Sequence, residues 1–247
     1  MVRRDILARY RGSFAGVVWT FLNPLLLMAT YFFVFGVVLK SRIGTDTSRS
    51  GFILYFLAGM LPWLAFAEAV GRSPHVILEH RNFVKKLVFP LETLPANLVI
   101  SGAVTELFAL GIFLAGLLIA RGTVPVTALW LPVLVIPQLL FTAGLCWFLA
   151  ALGVYMRDLS QIIGFILNLV FFLTPILYAD TALPAAAQKI LGVNPVYVLV
   201  RGYRSIFLEN QAPALAPVAT LFLGSLLLAA GGYWWFRRLR RGFADVI

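Results

Sequence analysis

LPANLVISGAVTELFALGIFLAGLLIA, Leu94–Ala120, decides how this chain is read. It carries a single charged residue, Glu106, and it is longer than the roughly 20 apolar residues needed to cross a bilayer. Working outward, comparable runs lie at Val17–Leu39, Phe52–Val70, Val126–Tyr155, Ile162–Tyr178 and Ala214–Phe236. The composition agrees: 61% of residues are hydrophobic and only 12% are charged, where a soluble domain has about 25% charged. Lipid offers a bare backbone no hydrogen-bond partner, so each run must satisfy itself as a helix. The short alternating segments of a β-barrel are absent. The sequence therefore predicts an all-α integral membrane protein of six transmembrane helices, forming one domain over residues 1–247. Pro132 and Pro137 in the fourth run predict a kink or a short interfacial piece at its start.

Charge gives the orientation. Thirteen Lys and Arg residues fall on one side of these spans, at the N-terminal flank (Arg3, Arg4, Arg9, Arg11), the second loop (Arg72, Arg81, Lys85, Lys86), Arg157 and the C-terminal flank (Arg237, Arg238, Arg240, Arg241). Seven fall on the other. The positive-inside rule places the first side, and both termini, in the cytoplasm. A net charge of +10 invites a nucleic-acid reading, but the charge is spread over span ends rather than massed on one face. The single cysteine, Cys146, lies in an apolar run and excludes an intrachain disulfide. The N-terminal run is too long, and lacks a small-residue cleavage site, for a cleaved signal peptide.

Between the spans three regions stand out. Residues 1–16 read as an amphipathic interfacial helix, with Ile6, Leu7, Tyr10 and Phe14 interleaved with arginines. Gly12 and Gly16 there are as compatible with a bend as with a helix-packing motif. Residues 72–92 form an amphipathic loop. Ser73 reads as an N-cap before Pro74, with a helix His75–His80 and a second short piece Phe83–Phe89 following. Such a loop either lies on lipid or docks into a partner. Residues 179–213 are the largest non-spanning region, with a short helix Ala182–Leu191, then Asn194-Pro195, then Val196–Phe207. The last piece is apolar but too short to span, so it reads as re-entrant or interfacial on the outer side.

Chemistry-bearing groups are few. There is no G-x-x-x-x-G-K-[ST] phosphate loop and no H-E-x-x-H. Both histidines, His75 and His80, sit in the loop, so no nucleophile–base or zinc constellation falls inside the bilayer. Glu68 reads as reaching toward the interface. Glu106, near mid-span, is either an interhelical hydrogen-bonding group or the site of a proton-coupled carrier. Phe165, Asn168 and Phe172 share one face of the fifth span. That face either meets lipid or lines a pathway whose aromatic rings stack on sugar faces.

Three stretches carry a resemblance. They are Arg9-Tyr10-Arg11-Gly12-Ser13 with Gly16, Trp19 and Asn23-Pro24; Arg157-Asp158 through Gln161 to Thr174-Pro175-Ile176-Leu177-Tyr178; and Asn194-Pro195 with Tyr203-Arg204. In their order and position relative to the spans, over nearly the whole length, the chain resembles the membrane-spanning subunits of ABC-2 type exporters. The resemblance is to the polysaccharide and polyol-phosphate group, which exports O-antigen, teichoic acid and capsule. It implies a homodimer in the bacterial inner membrane, working with two copies of a separate ATP-binding cassette subunit. ATP and Mg2+ would be bound by that subunit, and this chain would hold no cofactor or metal. The cargo it implies is a polysaccharide on a polyprenyl diphosphate. It assigns coupling to the ATPase to Glu79, Arg81, Asn82, Phe83, Lys85 and Lys86. It assigns the channel lining to Tyr31, Phe35, Phe165, Asn168, Phe172 and Tyr178, and the outer gate to Asn194, Pro195, Arg201 and Arg204 within 179–213. Arg9 and Arg11 become candidates for meeting the lipid diphosphate, with a lipid-headgroup anchor as the alternative. Export of a drug or small lipid is the other cargo class. Family members carry further residues ahead of the interfacial helix, whereas this sequence begins almost on it, as a trimmed or late-assigned start would.

Overall fold

A computed structural model describes residues 49–81, 89–180, 184 and 191–246, with residues 18, 22, 25–27, 29–30 and 32–38 of the first predicted span. All regular elements among the described residues are helical. A π-helical stretch, Phe32–Val38, belongs to that first span. Then come α1 (Arg49–Arg72), a 3-10 turn Ser73–His75, α2 (Val76–Glu79), α3 (Thr93–Arg121) and a 3-10 turn Val126–Trp130. They are followed by α4 (Leu131–Tyr155), α5 (Leu159–Leu173), α6 (Pro195–Phe207), α7 (Leu215–Leu239) and α8 (Phe243–Val246). Four stretches among the described residues are long and apolar enough to cross a membrane: Gly51–Glu79, Thr93–Arg121, Val126–Tyr155 and Leu215–Val246.

The helix boundaries follow local chemistry. α3 stops at Gly122, whose φ of 75° is left-handed and lets its N–H reach back to the Leu118 carbonyl. The fourth predicted span divides as its prolines suggest, into the 3-10 turn and α4, with Pro132 in the first turn of α4. The fifth predicted span is shorter than expected. α5 ends at Leu173, because Thr174 turns extended ahead of Pro175. At 15 residues it is about 22 Å long, less than the roughly 30 Å hydrocarbon core.

One sequence expectation fails. Ser73 does not cap the following helix; its hydroxyl donates back to the Val70 carbonyl at 2.7 Å. With Pro74 it is buried, and Val76 and Ile77 are buried beside it. Where a helix His75–His80 was expected, a 3-10 turn and the four-residue α2 continue directly from α1. All but Phe89 of the expected Phe83–Phe89 piece, residues 1–16 and most of Ala182–Leu191 lie outside the described residues.

α1 is the hub. In its most apolar window 72% of the residues are buried, against 22% in that of α3, and α1 packs on α3, α4, α5 and α6. Trp63 meets Phe66 and Phe171, and Phe66 stacks on Phe141. Helices have no hydrophobic incentive to associate in lipid, so close backbone approach must hold them together. That approach is visible between α4 and α7: a Cβ on Gly144 would come within 2.6 Å of the Leu228 carbonyl carbon, and one on Gly232 within 2.2 Å of the Gly144 oxygen. The outer surface is correspondingly greasy, with Leu107, Ile119 and Leu227 well exposed.

Candidate functional site

Two ends of the bundle differ in character. One carries Arg72, Arg81, Arg157 and the arginines after α7. The other carries the two ends of α6 and the chain around it.

At the second end, segments far apart in sequence converge. Asn194 caps α6, its side chain accepting from the Val196 N–H. The same side chain donates to the Thr174 hydroxyl at 3.0 Å. Arg204, 1% exposed, donates to the carbonyls of Tyr55, Pro175 and Ile176. Its guanidinium also lies 3.5 Å from the centroid of the Tyr55 ring. The helix break at Thr174 leaves the Pro175 and Ile176 carbonyls outside a helix, and the buried cation takes them along with that of Tyr55 on α1. Arg201 pairs with Glu209 and sits 3.7 Å from Asp180, and Tyr197 donates to Asp180. Arg121 and Thr127 tie the far end of α6 down by donating to the carbonyls of Leu208 and Ile206. Of the four residues proposed for a gate, Asn194 and Arg204 are thus pins that fix α6 to α1 and to the turn after α5. Arg201 is the more accessible charge.

α6 also reaches into the middle of the bundle. Tyr203 donates to Glu106 Oε1, and Gln138 Nε2 donates to Glu106 Oε2 at 2.7 Å. Gln138 lies 3.5 Å from the Pro62 carbonyl as well. Glu106, Gln138 and Tyr203 are all buried. A carboxyl group that lipid cannot solvate has found two neutral donors on two other helices, which joins α3, α4 and α6. Sequence reasoning singled out Glu106 without its partners. The signal for Gln138 was an amide in an otherwise apolar run, and that for Tyr203 was its place beside Arg204.

The α5 stripe has the geometry its spacing predicts. Phe165 and Phe172 are 69% and 64% exposed, and Asn168 is exposed between them, while Leu159, Ile163 and Phe171 of the same helix are buried. Tyr178 folds back on the helix end, its hydroxyl donating to the Phe172 carbonyl. Tyr31 lies outside the described residues, and so does the side chain of Phe35 within the π-helical stretch.

At the arginine-rich end, Glu79 and Arg81 are exposed; Asn82, Phe83, Lys85, Lys86, Arg9 and Arg11 lie outside the described residues. The start of this loop is wedged against α4, where a Cβ on Gly153 would stand 2.0 Å from the Pro74 oxygen. Its far end is clamped by Glu92, which pairs with Arg240 at 2.6 Å and accepts from the Trp147 indole through its carbonyl. Partial burial pushes the Glu92 carboxyl up, but its own backbone N–H and the Arg240 guanidinium outweigh that and hold it below the usual carboxylate range. Among the described residues no His, Cys, Asp and Glu group is arranged to hold a metal ion.

Comparison with known proteins adds the family-level information. The sequence matches the family described as ABC-2 type transporter over residues 1–208. It is 36% identical to the O-antigen export system permease protein RfbA of Myxococcus xanthus, over all of this chain and 94% of that protein. It is 27% identical to the RfbA of Klebsiella pneumoniae, over all of this chain and 93% of that protein. It is 28% identical to the inner membrane transport permease YadH of Escherichia coli K12, over 83% of this chain and 82% of that protein.

Proposed function

Since the chain belongs to the ABC-2 type transporter family, we propose that it is the permease subunit of an ATP-driven exporter carrying a polyprenyl-diphosphate-linked, O-antigen-like polysaccharide across the bacterial inner membrane. The observation that carries this reading is the 36% identity, over the full chain, to a permease named for O-antigen export. The subunit works as a homodimer with two copies of an ATP-binding cassette ATPase, which binds the ATP and Mg2+. Both termini are cytoplasmic, as the arginine asymmetry supports.

In this mechanism the chain performs no bond chemistry. The loop over residues 72–92 receives the ATPase at Glu79, Arg81, Asn82, Phe83, Lys85 and Lys86. Its two ends are seated on the bundle, at Pro74 against Gly153 and at Glu92 on Arg240, so a push on the loop reaches α4 and α7 as a rigid displacement. The exposed face Phe165/Asn168/Phe172, with Tyr178, Tyr31 and Phe35, lines the route. Flat aromatic faces hold sugars by stacking without fixing one sequence of them, which suits a moving polymer. Arg9 and Arg11 meet the diphosphate at the entrance, and the region 179–213 closes the outer end.

The test is a deletion strain complemented with the gene. Loss of surface polysaccharide and recovery of an ATPase subunit by pull-down support the reading. Export by the purified chain alone in liposomes, without ATP, would sink it. Normal surface polysaccharide with drug sensitivity would instead identify a drug or small-lipid exporter. Relatives named only as inner membrane transport permeases keep that alternative in view.

A further inference from the structure

An open recess of about 650 Å³ lies at the end of α7, lined by Tyr233, Trp234, Arg237, Arg238, Arg240 and Arg241. Arginines at the last turn of a membrane helix need no explanation beyond topology and the helix dipole. Two features here go further. The first is order. Arg237 lies over the Tyr233 ring and Arg238 over the Trp234 ring, each with its guanidinium carbon 5.7 Å from the centroid. One turn of helix separates the members of each pair, which keeps each guanidinium close to an aromatic ring. The second is uneven neutralisation. Glu92 takes Arg240 and also feels the Arg237 charge, whereas Arg237, Arg238 and Arg241 are exposed; Asp245 is exposed on α8. Trp234 is 61% exposed. An amphipathic ring in that position marks the headgroup level of a bilayer.

We infer that this recess is a binding site for the phosphate of a membrane lipid headgroup. Planar guanidiniums gathered in one recess match phosphate oxygens in a two-pronged fashion. The exposed tryptophan beside them sets the depth at which that phosphate lies. A phosphodiester of the bulk anionic lipid and the diphosphate of a lipid-linked cargo share this chemistry. The inference rests on the membrane reading alone, not on the nature of the cargo or on the ATPase.

The full-length chain in nanodiscs is titrated separately with two probes, phosphatidylglycerol and farnesyl diphosphate, and occupancy is read by native mass spectrometry without any transport step. Each guanidinium near a membrane surface contributes about 1 kcal/mol toward an anionic lipid. Arg238→Gln is therefore expected to weaken binding about 5-fold, and Arg237→Gln with Arg238→Gln about 25-fold. Arg157→Gln removes a charge at the same membrane face and is expected to leave binding within 2-fold. Loss confined to phosphatidylglycerol identifies a bulk-lipid site. Loss confined to farnesyl diphosphate identifies a cargo site, and loss of both identifies a shared phosphate site. Arg237 and Arg238 are both on the surface, so both variants are expected to fold, and the single variant alone suffices for the comparison. Binding that falls no further in Arg238→Gln than in Arg157→Gln overturns the inference.

Discussion

Replacing Tyr203 by Phe tests whether the buried Glu106 cluster is a structural joint or a proton-handling site. The substitution removes one oxygen and keeps the ring, which packs near Phe207. The losses are the hydrogen bond to Glu106 Oε1 and a longer one, 3.3 Å, to Gln138 Oε1. Interhelical hydrogen bonds in membranes average about 0.6 kcal/mol and reach about 1.7. This one belongs at the upper end, because its acceptor is a carboxyl group and Tyr203 is 1% exposed, with no water to take its place. A cost of about 1.5 kcal/mol lowers the melting temperature by about 3–6 °C. Glu106→Gln keeps an oxygen for Tyr203 but sets an amide N–H2 against the Gln138 Nε2 donor, so Gln138 must turn over. That costs about 1 kcal/mol. The double variant should cost about 1 kcal/mol less than the sum of the two single variants, since they break one network. The assay is thermal unfolding of the purified variants alongside export of surface polysaccharide in cells. Export should fall no more than about 3-fold in Glu106→Gln. Abolished export from a Glu106→Gln protein that melts like the parent would refute the joint and reinstate a proton-coupled carrier.

Further expectations follow from the same contacts. Arg204→Met leaves three carbonyls without their donor, at about 1–3 kcal/mol each before relaxation; a loss of about 4 kcal/mol should appear as a melting temperature about 8–16 °C lower, and a shift below 2 °C would show that the pin is dispensable. Gly153→Ala drives a methyl into the Pro74 carbonyl at a cost of about 1–3 kcal/mol, and should lower export several-fold by displacing the start of the loop, whereas Gly111→Ala, with open space around it, should be silent in the same assay. Arg81→Glu with Lys85→Glu should weaken recovery of the ATPase subunit in a pull-down about 10-fold, and unchanged recovery would remove the loop from that interface. The Glu92 carboxyl is held below its unfolded value, so its pair with Arg240 contributes fully above the ordinary carboxylate pKa of about 4.3 and fades as pH falls through the folded value; melting curves of the parent and Glu92→Gln should therefore differ slightly at pH 6 and converge in that acid window.

How far the sequence could be read depended on what kind of signal each feature left. Leu94–Ala120 and Ala214–Phe236 are long, uniformly apolar and bounded by charge, and α3 and α7 end within a few residues of those limits. The α5 stripe was legible because position on a helix face depends only on spacing. What spacing cannot carry is the distance between segments remote in the chain. Thr174-Pro175, Asn194-Pro195 and Tyr203-Arg204 each look like local punctuation, yet the structure joins them through Asn194 to Thr174 and through Arg204 to the carbonyls of Pro175 and Ile176. The burial of Arg204 was illegible for the same reason: its acceptors, the carbonyls of Tyr55, Pro175 and Ile176, come from segments remote in the chain, and only their convergence makes burial of the cation favourable. Ser73 misled in a smaller way: its side chain can close a hydrogen bond forward as a cap or backward to the preceding turn, and continuity with α1 selects the second.

These bonds limit how the end around α6 can move. Sliding α6 away from α1 exposes the Arg204 guanidinium, its three acceptors and the Tyr55 ring together, so the cost rises at once rather than gradually. Carrying the Thr174–Ile176 turn and the start of α1 along with α6 breaks none of those contacts. Other ties are the Tyr203 bonds to Glu106 and Gln138, the Phe113–Phe207 ring contact, and the Arg121 and Thr127 bonds to the Leu208 and Ile206 carbonyls. The Arg121 and Thr127 bonds are worth about 1 kcal/mol each, and water at the membrane surface can replace them. A movement of α6 together with the turn after α5 and the start of α1 therefore keeps the Arg204 contacts and loads the Glu106 joint. The Phe172 carbonyl, bonded by Tyr178, lies in the last turn of α5, immediately before that turn. A displacement of α6 thus shifts the end of the exposed aromatic face of α5, and the two regions share one degree of freedom.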